Sequence, residues 1–284
     1  MKNIVIVPNM SKAKTGEVTA LLVEKLAAMG FSLYSAEKHR ECFEKNVELY
    51  SAFPKEAELI IVVGGDGSVL DASVEAIAQN VPIIGVNLGK VGYLSEVEPD
   101  NLDIFARLSS GDYSIEERML LSLSLNKGGA VTGALRFAVN DIVVSHENHF
   151  GISDFKIENS RGDGVCYRAD GMIFSTPTGS TAYSLSAGGP VVSNNVDCIL
   201  ATPVCPHSFF NRSILFSDTD RITLTNTGAG DLNVSIDGRF VSRLSSGGEC
   251  TVSVSKKTLK MLTFSRDNMF STLFRKMRIM EDVK

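Results

Sequence analysis

Over the first hundred residues, apolar positions alternate between strand-like runs and helical spacing, as in an α/β domain. The runs are short, aliphatic and bounded by glycine, proline or polar residues, which is typical of buried parallel strands. Strands are predicted at Ile4–Val7, Phe31–Tyr34, Leu59–Val63 and Pro82–Val86. Apolar residues recur every three or four positions from Thr15 to Met29 and again from Leu70 to Ala78, which predicts a helix in each stretch. The pattern indicates a doubly wound, mostly parallel sheet, in which ligands bind at the carboxyl ends of the strands.

After Gly111 the pattern changes to short alternating segments separated by turns rich in Gly, Asn and Ser. Strands are predicted at Leu121–Leu125, Leu135–Val144, Phe155–Ile157, Val165–Arg168, Ile222–Thr225, Leu232–Ile236, Thr251–Val254 and Lys260–Phe264. This spacing favours a β-sandwich-like second domain. We therefore expect an α/β domain over 1–110 and a β-rich domain over 111–267, followed by helical spacing in 268–284.

Composition narrows the class of protein. The chain of 284 residues is 44% apolar and 21% charged, which excludes wholesale disorder. Its net charge of −5 provides no general attraction for nucleic acid or for a membrane surface. The longest aliphatic run, Leu59–Val63, is far shorter than the roughly 20 residues that a membrane helix needs. We expect a cytoplasmic protein without nucleic-acid or membrane partners.

Cysteine and histidine spacing predicts no metal site. The five cysteines are an odd number and none forms Cys-x-x-Cys, which argues against a zinc ribbon and favours reduced thiols. His146-Glu147-Asn148-His149 is one residue short of the H-E-x-x-H metalloprotease motif. We interpret these histidines as loop or surface residues.

The segment Gly64-Gly65-Asp66-Gly67-Ser68 joins a predicted strand to a predicted helix. Glycines let the backbone approach a phosphate closely, and the helix start offers free N–H groups to an anion. The segment fits neither a Walker A loop nor the dinucleotide fingerprint, since Leu70 takes the place of the third glycine. A carboxylate beside bound phosphates suggests a base or a metal ligand. The alternative is a tight turn in which Asp66 only caps the helix.

A second candidate segment runs from Asp170 to Pro190. Hydroxyl side chains occupy eight of the twelve positions between Ser175 and Ser186. Burial would require a partner for every hydroxyl, whereas a turn leading into a helix at Ser180 would direct them to a ligand. The alternative is a serine-rich surface loop.

A third candidate is Asn140-Asp141, where two polar residues interrupt an apolar run. An amide can pair with a purine edge, and a carboxylate can accept from two ribose hydroxyls. A β-bulge or a strand end is the alternative.

Together these segments resemble the NAD kinase family along nearly the whole chain. The resemblance rests on Gly64–Ser68, Gly85–Leu94, Asn140-Asp141 and Tyr167–Pro190. Diacylglycerol-type lipid kinases and phosphofructokinases share the Gly-Asp motif, whereas Thr176–Tyr183 is far more specific. The resemblance implies that the last helix, 268–284, folds back onto the first domain and that 111–267 binds NAD. It also implies a homodimer or homotetramer in which neighbouring subunits help to complete the NAD pocket.

The resemblance also implies roles for individual residues. Asp66 would be the proton acceptor with Gly67 beside the substrate, and Gly64, Gly65, Gly67 and Ser68 would form the ATP phosphate loop. Asn140 and Asp141 would hold adenosine and ribose, although the family usually has Asn-Glu there. Arg168 and Asp170 would hold the other end of the dinucleotide. The adenine side would be lined by Thr181, Ala182, Tyr183, Ser184, Leu185 and Ser186. Asp237-Gly238 falls where the family often has a late Asp-Gly pair.

The expected reaction is phosphoryl transfer from ATP to the 2′-hydroxyl of the adenosine ribose of NAD, giving NADP. The hydroxyl would attack the γ-phosphate in line without a covalent intermediate. Mg²⁺ would be bound mostly by the nucleotide and water. Three alternatives remain: a lipid or sugar kinase with an apolar acceptor pocket, a nucleotide-sensing protein without turnover, and an NAD-dependent dehydrogenase.

Overall fold

The computed structural model describes residues 1–12, 14–43, 45–89, 92–126, 137–146 and 151–264. The chain divides into two compact units, one of Met1–Glu117 together with the chain from Leu259 onward, the other of Arg118–Thr258. The domain boundaries expected from the sequence stay predictions. The helix predicted for 268–284 lies outside the described residues.

The first unit alternates strands and helices. Its strands are β1 (Asn3–Pro8), β2 (Ser32–Ala36), β3 (Glu48–Tyr50), β4 (Leu59–Gly64), β5 (Ile83–Asn87) and β6 (Ser95–Val97). Its helices are α1 (Thr15–Ala28), α2 (Asp66–Gln79) and α3 (Arg107–Ser110), with 3-10 helices at Glu37–Cys42 and Leu102–Ala106.

These strands form a parallel sheet in the order β3-β2-β1-β4-β5, with β6 beside β5. All six residues of β4 are buried, which explains its uninterrupted aliphatic run. The strand order reverses direction between β1 and β4. In open α/β sheets, the crevice at the carboxyl ends of two such strands is where ligands bind. The crevice here lies beside Asn9 and Gly65, the residues that follow β1 and β4.

The second unit is built from antiparallel strands. They are β7 (Ser114–Asn126), β8 (Phe137–Ala138), β9 (Asp141–His146), β10 (Ser153–Glu158), β11 (Gly164–Ala169), β12 (Gly171–Ser175), β13 (Cys198–Val204), β14 (Ile214–Ser217), β15 (Arg221–Asn226), β16 (Leu232–Ile236), β17 (Arg239–Leu244) and β18 (Glu249–Thr263). A 3-10 helix at Thr178–Thr181 leads into the short helix α4 (Tyr183–Ser186). Strand β7 begins, and β18 ends, in the first unit.

One sheet of this unit has the order β14-β13-β12-β9-β16-β17, and another joins β11, β10, β15, β18, β7 and β8. A single hydrophobic core takes side chains from both sheets, among them Val144 and Phe174 from the first and Phe155 and Tyr167 from the second. The predicted fold class, a parallel α/β domain followed by a β-sandwich-like domain, is confirmed.

Three strand predictions need correction. The predicted strand Leu135–Val144 is interrupted at Val139 and Asn140, between β8 and β9. The predicted strands Thr251–Val254 and Lys260–Phe264 are parts of one 15-residue strand, β18, which ends at Thr263. No strand was predicted over Gly171–Ser175, at the start of the second candidate segment, but these residues form the buried strand β12, paired on both sides. No helix of the described part of the chain is long and apolar enough to cross a membrane.

Candidate functional site

The glycine segment lies at the carboxyl end of β4 and forms the start of α2. Gly64 packs tightly, since a Cβ there would lie 2.6 Å from Ser68 Cβ. A Cβ on Gly65 or Gly67 would meet nothing within 4 Å, so both glycines border open space. Asn9, at the end of β1, donates from its side-chain amide to Ser68 Oγ at 2.7 Å. This hydrogen bond joins the residue after β1 to the start of α2, and the backbone of Gly65 and Gly67 beside it is unobstructed.

The Asp66 carboxylate does not cap its helix. Gly65 is the N-cap residue of α2 and Asp66 is the first helical residue, so the capping alternative is wrong. Asp66 Oδ2 accepts from Tyr93 N–H at 2.5 Å, and Oδ1 accepts from Leu94 N–H and Ser95 N–H, both at 3.1 Å. The Ser95 hydroxyl adds a fourth hydrogen bond to Oδ1 at 3.2 Å. These donors fix the orientation of a half-buried carboxylate within the glycine segment.

A cavity of about 610 Å³ lies in the second unit. It is bordered by β9, the junction of β11 and β12, the start of α4, and the turn between β16 and β17. Five of the residues expected to bind NAD line it: Asn140, Asp141, Asp170, Ala182 and Tyr183. These residues are up to 43 positions apart in the chain, and the fold brings them together around one space.

Two neighbouring carboxyl groups give the cavity an unusual charge state. Asp141 is only 5% exposed. Burial, reinforced by the charge of Asp237, raises the pKa of Asp141 to about 7. Burial also raises the pKa of Asp237, against the opposing effect of three backbone hydrogen bonds to its carboxylate. Asp141 therefore exchanges a proton near neutral pH.

The hydroxyl-rich segment is arranged differently from the expectation. Thr176, Ser180 and Ser184 are fully buried. Thr176 Oγ1 donates to the Val139 carbonyl at 2.6 Å, Ser180 Oγ to the Pro177 carbonyl at 2.6 Å, and Ser184 Oγ contacts Thr202 Oγ1 at 2.9 Å. These hydroxyls were expected to face a ligand. They are instead buried and hydrogen-bonded within the protein, where they hold the turn against the sheet. Ala182 and Tyr183 are the residues of this segment that reach the cavity.

Several expected NAD contacts do not line this cavity. The Arg168 guanidinium forms a bidentate pair with Asp154, at 2.9 and 3.1 Å, on the exposed face of β10 and β11. Thr181 Oγ1 donates to the Thr178 carbonyl at 3.1 Å, while Leu185 is half-buried and Ser186 is exposed. Contacts of these residues and of Ser184 with a nucleotide stay predictions.

Comparisons with known proteins decide the family. The family model of the ATP-NAD kinase N-terminal domain matches residues 4–113, and that of the C-terminal domain matches residues 139–264. The NAD kinase of Lachnoclostridium phytofermentans is 33% identical over 280 residues, covering 96% of this chain and 98% of that protein. The NAD kinase of Geotalea daltonii is 32% identical over 287 residues, covering 98% and 99%. The chain belongs to the NAD kinase family.

Solved structures agree with this membership. Yeast NADH kinase, complexed with NADH, has a similar fold with a TM-score of 0.84 at 23% identity, covering 98% of this chain and 88% of that chain. The NAD kinase from Archaeoglobus fulgidus, in complex with ATP, matches with a TM-score of 0.73 at 26% identity, covering 98% and 99%. These structures show the same fold. Because the chain belongs to the NAD kinase family, it is a kinase, and the lipid kinase, sugar kinase and dehydrogenase alternatives are set aside.

Within this NAD kinase fold, one cavity residue, His146, was not expected from the sequence, and another, Asp237, was named only from the family resemblance. His146, interpreted as a loop or surface residue, is the last residue of β9 and lines the cavity; its partner in that motif, His149, lies outside the described residues. Asp237 lies in the two-residue turn between β16 and β17 and also borders the cavity. The signal for Asp237 was available, since Asp-Gly between two alternating strands predicts a tight hairpin. No comparable signal marks His146.

Proposed function

We propose that this protein transfers the γ-phosphate of ATP to the 2′-hydroxyl of the adenosine ribose of NAD, giving NADP and ADP. The observation that carries the proposal is a fixed carboxylate, Asp66, flanked by Gly65 and Gly67, which both border open space. Phosphoryl transfer needs little covalent help from the protein, so a positioned acceptor for one proton and room for phosphates are its main requirements.

The phosphates of ATP are proposed to lie against Gly64, Gly65, Gly67 and Ser68. The N-terminus of α2, a helix of 14 residues, directs backbone N–H groups and the positive end of its dipole toward an anion. Mg²⁺ is proposed to arrive with ATP, since this ion usually keeps several waters and binds substrate phosphates. The described residues contain no cluster of three or more side chains with metal-ligand chemistry.

The nucleoside part of NAD is proposed to occupy the cavity of the second unit. Asp141 and Asp170 border this space, and carboxylates repel phosphate but accept hydrogen bonds from ribose hydroxyls and from an adenine amino group. Asn140 offers both a donor and an acceptor for a purine edge. Ala182 and Tyr183 supply an apolar wall, and Tyr183 is 47% exposed, so its ring is available for stacking. The remaining contacts, from Gly67, Arg168, Thr181, Ser184, Leu185 and Ser186, are proposed by family resemblance.

Asp66 is proposed to accept the proton of the 2′-hydroxyl as the new O–P bond forms. In the described residues, Oδ1 accepts three hydrogen bonds and Oδ2 accepts one. A carboxylate oxygen has two lone pairs, so Oδ2 is the atom with capacity for the incoming proton. General-base assistance of this kind contributes about 10²–10⁴ in rate.

We further propose that the protein acts in the cytoplasm as a homodimer or homotetramer. Its five cysteines are all free thiols, which suits a reducing compartment. The oligomer follows from the family resemblance, and sedimentation of the purified protein would measure its size.

The experiment is a coupled assay. The pure protein is incubated with ATP, Mg²⁺ and one acceptor, and NADP is detected with an NADP-specific dehydrogenase. NAD, NADH, diacylglycerol and fructose 6-phosphate are compared as acceptors by ADP release. We expect ADP release with NAD, matched by NADP. Absence of NADP across donors and divalent metals would overturn the proposal.

A further inference from the structure

Asp237 occupies a turn whose geometry does not by itself require a carboxylate. Asp237 and Gly238 join β16 to β17 with φ of 48° and 76°, the conformation of a type I′ hairpin turn. Asparagine and glycine are at least as well suited as aspartate to positive φ at this position. The hairpin therefore leaves the choice of side chain open.

The carboxylate of Asp237 instead binds another segment of the second unit. Its Oδ2 accepts from Val139 N–H at 2.9 Å, and its Oδ1 accepts from Asn140 N–H at 2.8 Å and Asp141 N–H at 3.1 Å. The backbone N–H of Asp237 also donates to the Asp141 carbonyl at 2.9 Å. Val139 and Asn140 lie between β8 and β9 and Asp141 begins β9, so this carboxylate takes the place of a strand partner for the interrupted residues.

The carbonyl groups of the same segment are held from the other side. The hydroxyl of Thr176 donates to the Val139 carbonyl at 2.6 Å, and its N–H donates to the Asn140 carbonyl at 2.9 Å. Hydrogen bonds therefore hold both the backbone N–H groups and the backbone carbonyl groups of residues 139–141. This fixes the direction in which their side chains project. The arrangement places Asp237 near the buried Asp141, and besides burial the charge of Asp237 raises the pKa of Asp141, so the two carboxylates repel each other. Such an unfavourable neighbour indicates that the hydrogen bonds to 139–141 have a use beyond the turn.

We propose that Asp237 is a positioning residue of the nucleotide site, whose carboxylate holds the backbone of residues 139–141 so that Asn140 and Asp141 project into the cavity. This inference rests on the proposed function, since it assigns Asn140 and Asp141 to NAD. Asp237 affects the binding of NAD through these two residues and takes no part in the phosphoryl transfer itself.

The test uses two substitutions that preserve the hairpin. Asp237→Gly keeps the positive φ and removes all three hydrogen bonds, whereas Asp237→Asn retains one acceptor oxygen. We expect Asp237→Gly to raise the KM for NAD by about 10-fold or more, and Asp237→Asn to have an intermediate effect. The KM for ATP should stay within about twofold, and kcat within a few-fold. The control is Asp220→Asn. Asp220 is another buried carboxylate, and it accepts a hydrogen bond from Ser217 N–H in a turn away from the cavity. This substitution should leave the KM for NAD unchanged.

A second readout does not depend on activity. Hydrogen exchange of peptides covering 137–146 should accelerate in Asp237→Gly, and less so in Asp237→Asn, relative to wild type and Asp220→Asn. A turn-only role predicts wild-type exchange and wild-type KM for NAD in both variants, and that result would overturn the inference. If the wild-type protein forms no NADP, the proposed function fails; faster exchange would still support the backbone role of Asp237, and unchanged exchange would refute it.

Discussion

The Asp66 carboxylate has to meet two opposing requirements, a fixed orientation and a lone pair that stays available. Four donors from Tyr93, Leu94 and Ser95 hold the carboxylate in place, yet a proton acceptor must keep a free lone pair. The uneven distribution of these donors, three on Oδ1 and one on Oδ2, satisfies both demands. Oδ2, with one donor, keeps a lone pair for the proton that we propose Asp66 accepts.

We predict that Asp66→Asn lowers turnover by at least ~10² while the dissociation constants of NAD and ATP stay within a few-fold. The amide keeps the size of the side chain but loses the acceptor charge. It also turns an N–H toward one of the backbone donors, which costs about 1–3 kcal/mol of stability. Turnover, both dissociation constants and the melting temperature should be measured on the same preparation.

Ser95→Ala is the matched control for this substitution. It removes the hydroxyl donor to Oδ1 but leaves the charge and the three backbone donors in place. We expect a loss of less than about 10-fold in turnover. Near-normal turnover in Asp66→Asn would leave Asp66 a structural residue, and the base would then have to be a different group.

The buried carboxyl of Asp141 predicts a pH-dependent stability. Its pKa rises from 3.8 to about 7 on folding, because burial and the Asp237 charge disfavour the ionised form. The folded state therefore binds the proton more tightly, and the ionised form destabilises it. This destabilisation is absent below pH 4, grows between pH 4 and 7, and reaches at most about 4 kcal/mol above pH 7.

We predict that Asp141→Asn unfolds at a higher denaturant concentration than wild type at pH 8, and that the advantage decreases as the pH falls from 7 to 4. Urea unfolding at a series of pH values measures it. The exposed Asp100 provides the control, since Asp100→Asn changes the net charge equally without removing a buried group. An advantage of Asp141→Asn that does not vary with pH would refute the assignment of the raised pKa to this residue.

At the scale of elements, the turn at Thr178–Thr181 depends on direct backbone contact with the segment that carries Asn140. A Cβ on Gly179 would overlap the Asn140 carbonyl and lie 2.7 Å from Asn140 Cα. The Thr176 hydroxyl donates to the Val139 carbonyl and accepts from Gly179 N–H, so one side chain links the two segments. This hydroxyl joins the turn to the residue that follows β8.

We predict that Gly179→Ala lowers the free energy of unfolding by about 2 kcal/mol or more, because neither backbone segment can move aside cheaply. Gly16→Ala is its control. Gly16 lies in α1, where an added Cβ would meet nothing within 4 Å, so alanine there should be neutral or stabilising by up to about 1 kcal/mol. Urea unfolding of both variants gives the comparison. Equal stability of the two variants would contradict the tight contact.

The sequence was sufficient for elements that follow a simple period. Ile4–Val7 and Leu59–Val63 became β1 and β4, and the apolar spacing from Thr15 to Met29 became α1, within two residues at each end. Contacts between residues far apart in the chain could not be predicted from the sequence. The break at Val139-Asn140 depends on Asp237, nearly a hundred positions away, and the burial of Ser180 and Ser184 depends on partners in other segments. The order of hydroxyls along the chain alone cannot distinguish a ligand-facing loop from a turn that is bonded internally.

At the scale of the whole molecule, the proposed chemistry is divided between the two units. The first has a parallel sheet with the glycine segment and Asp66 at its strand-order reversal. The second has an acid-lined cavity that suits a nucleoside. The first unit is thus suited to phosphates and the second to the acceptor, which matches a reaction between ATP and a dinucleotide.

The most direct test is to identify the bond that the protein forms. The protein, Mg²⁺, NAD and ATP labelled at the γ-phosphate are incubated, and the product is purified and examined by phosphorus NMR. We expect one labelled phosphate per dinucleotide, coupled to the 2′ proton of the adenosine ribose, with one ADP released for each product. Label in inorganic phosphate alone, or on any other position of the dinucleotide, would contradict the proposed reaction.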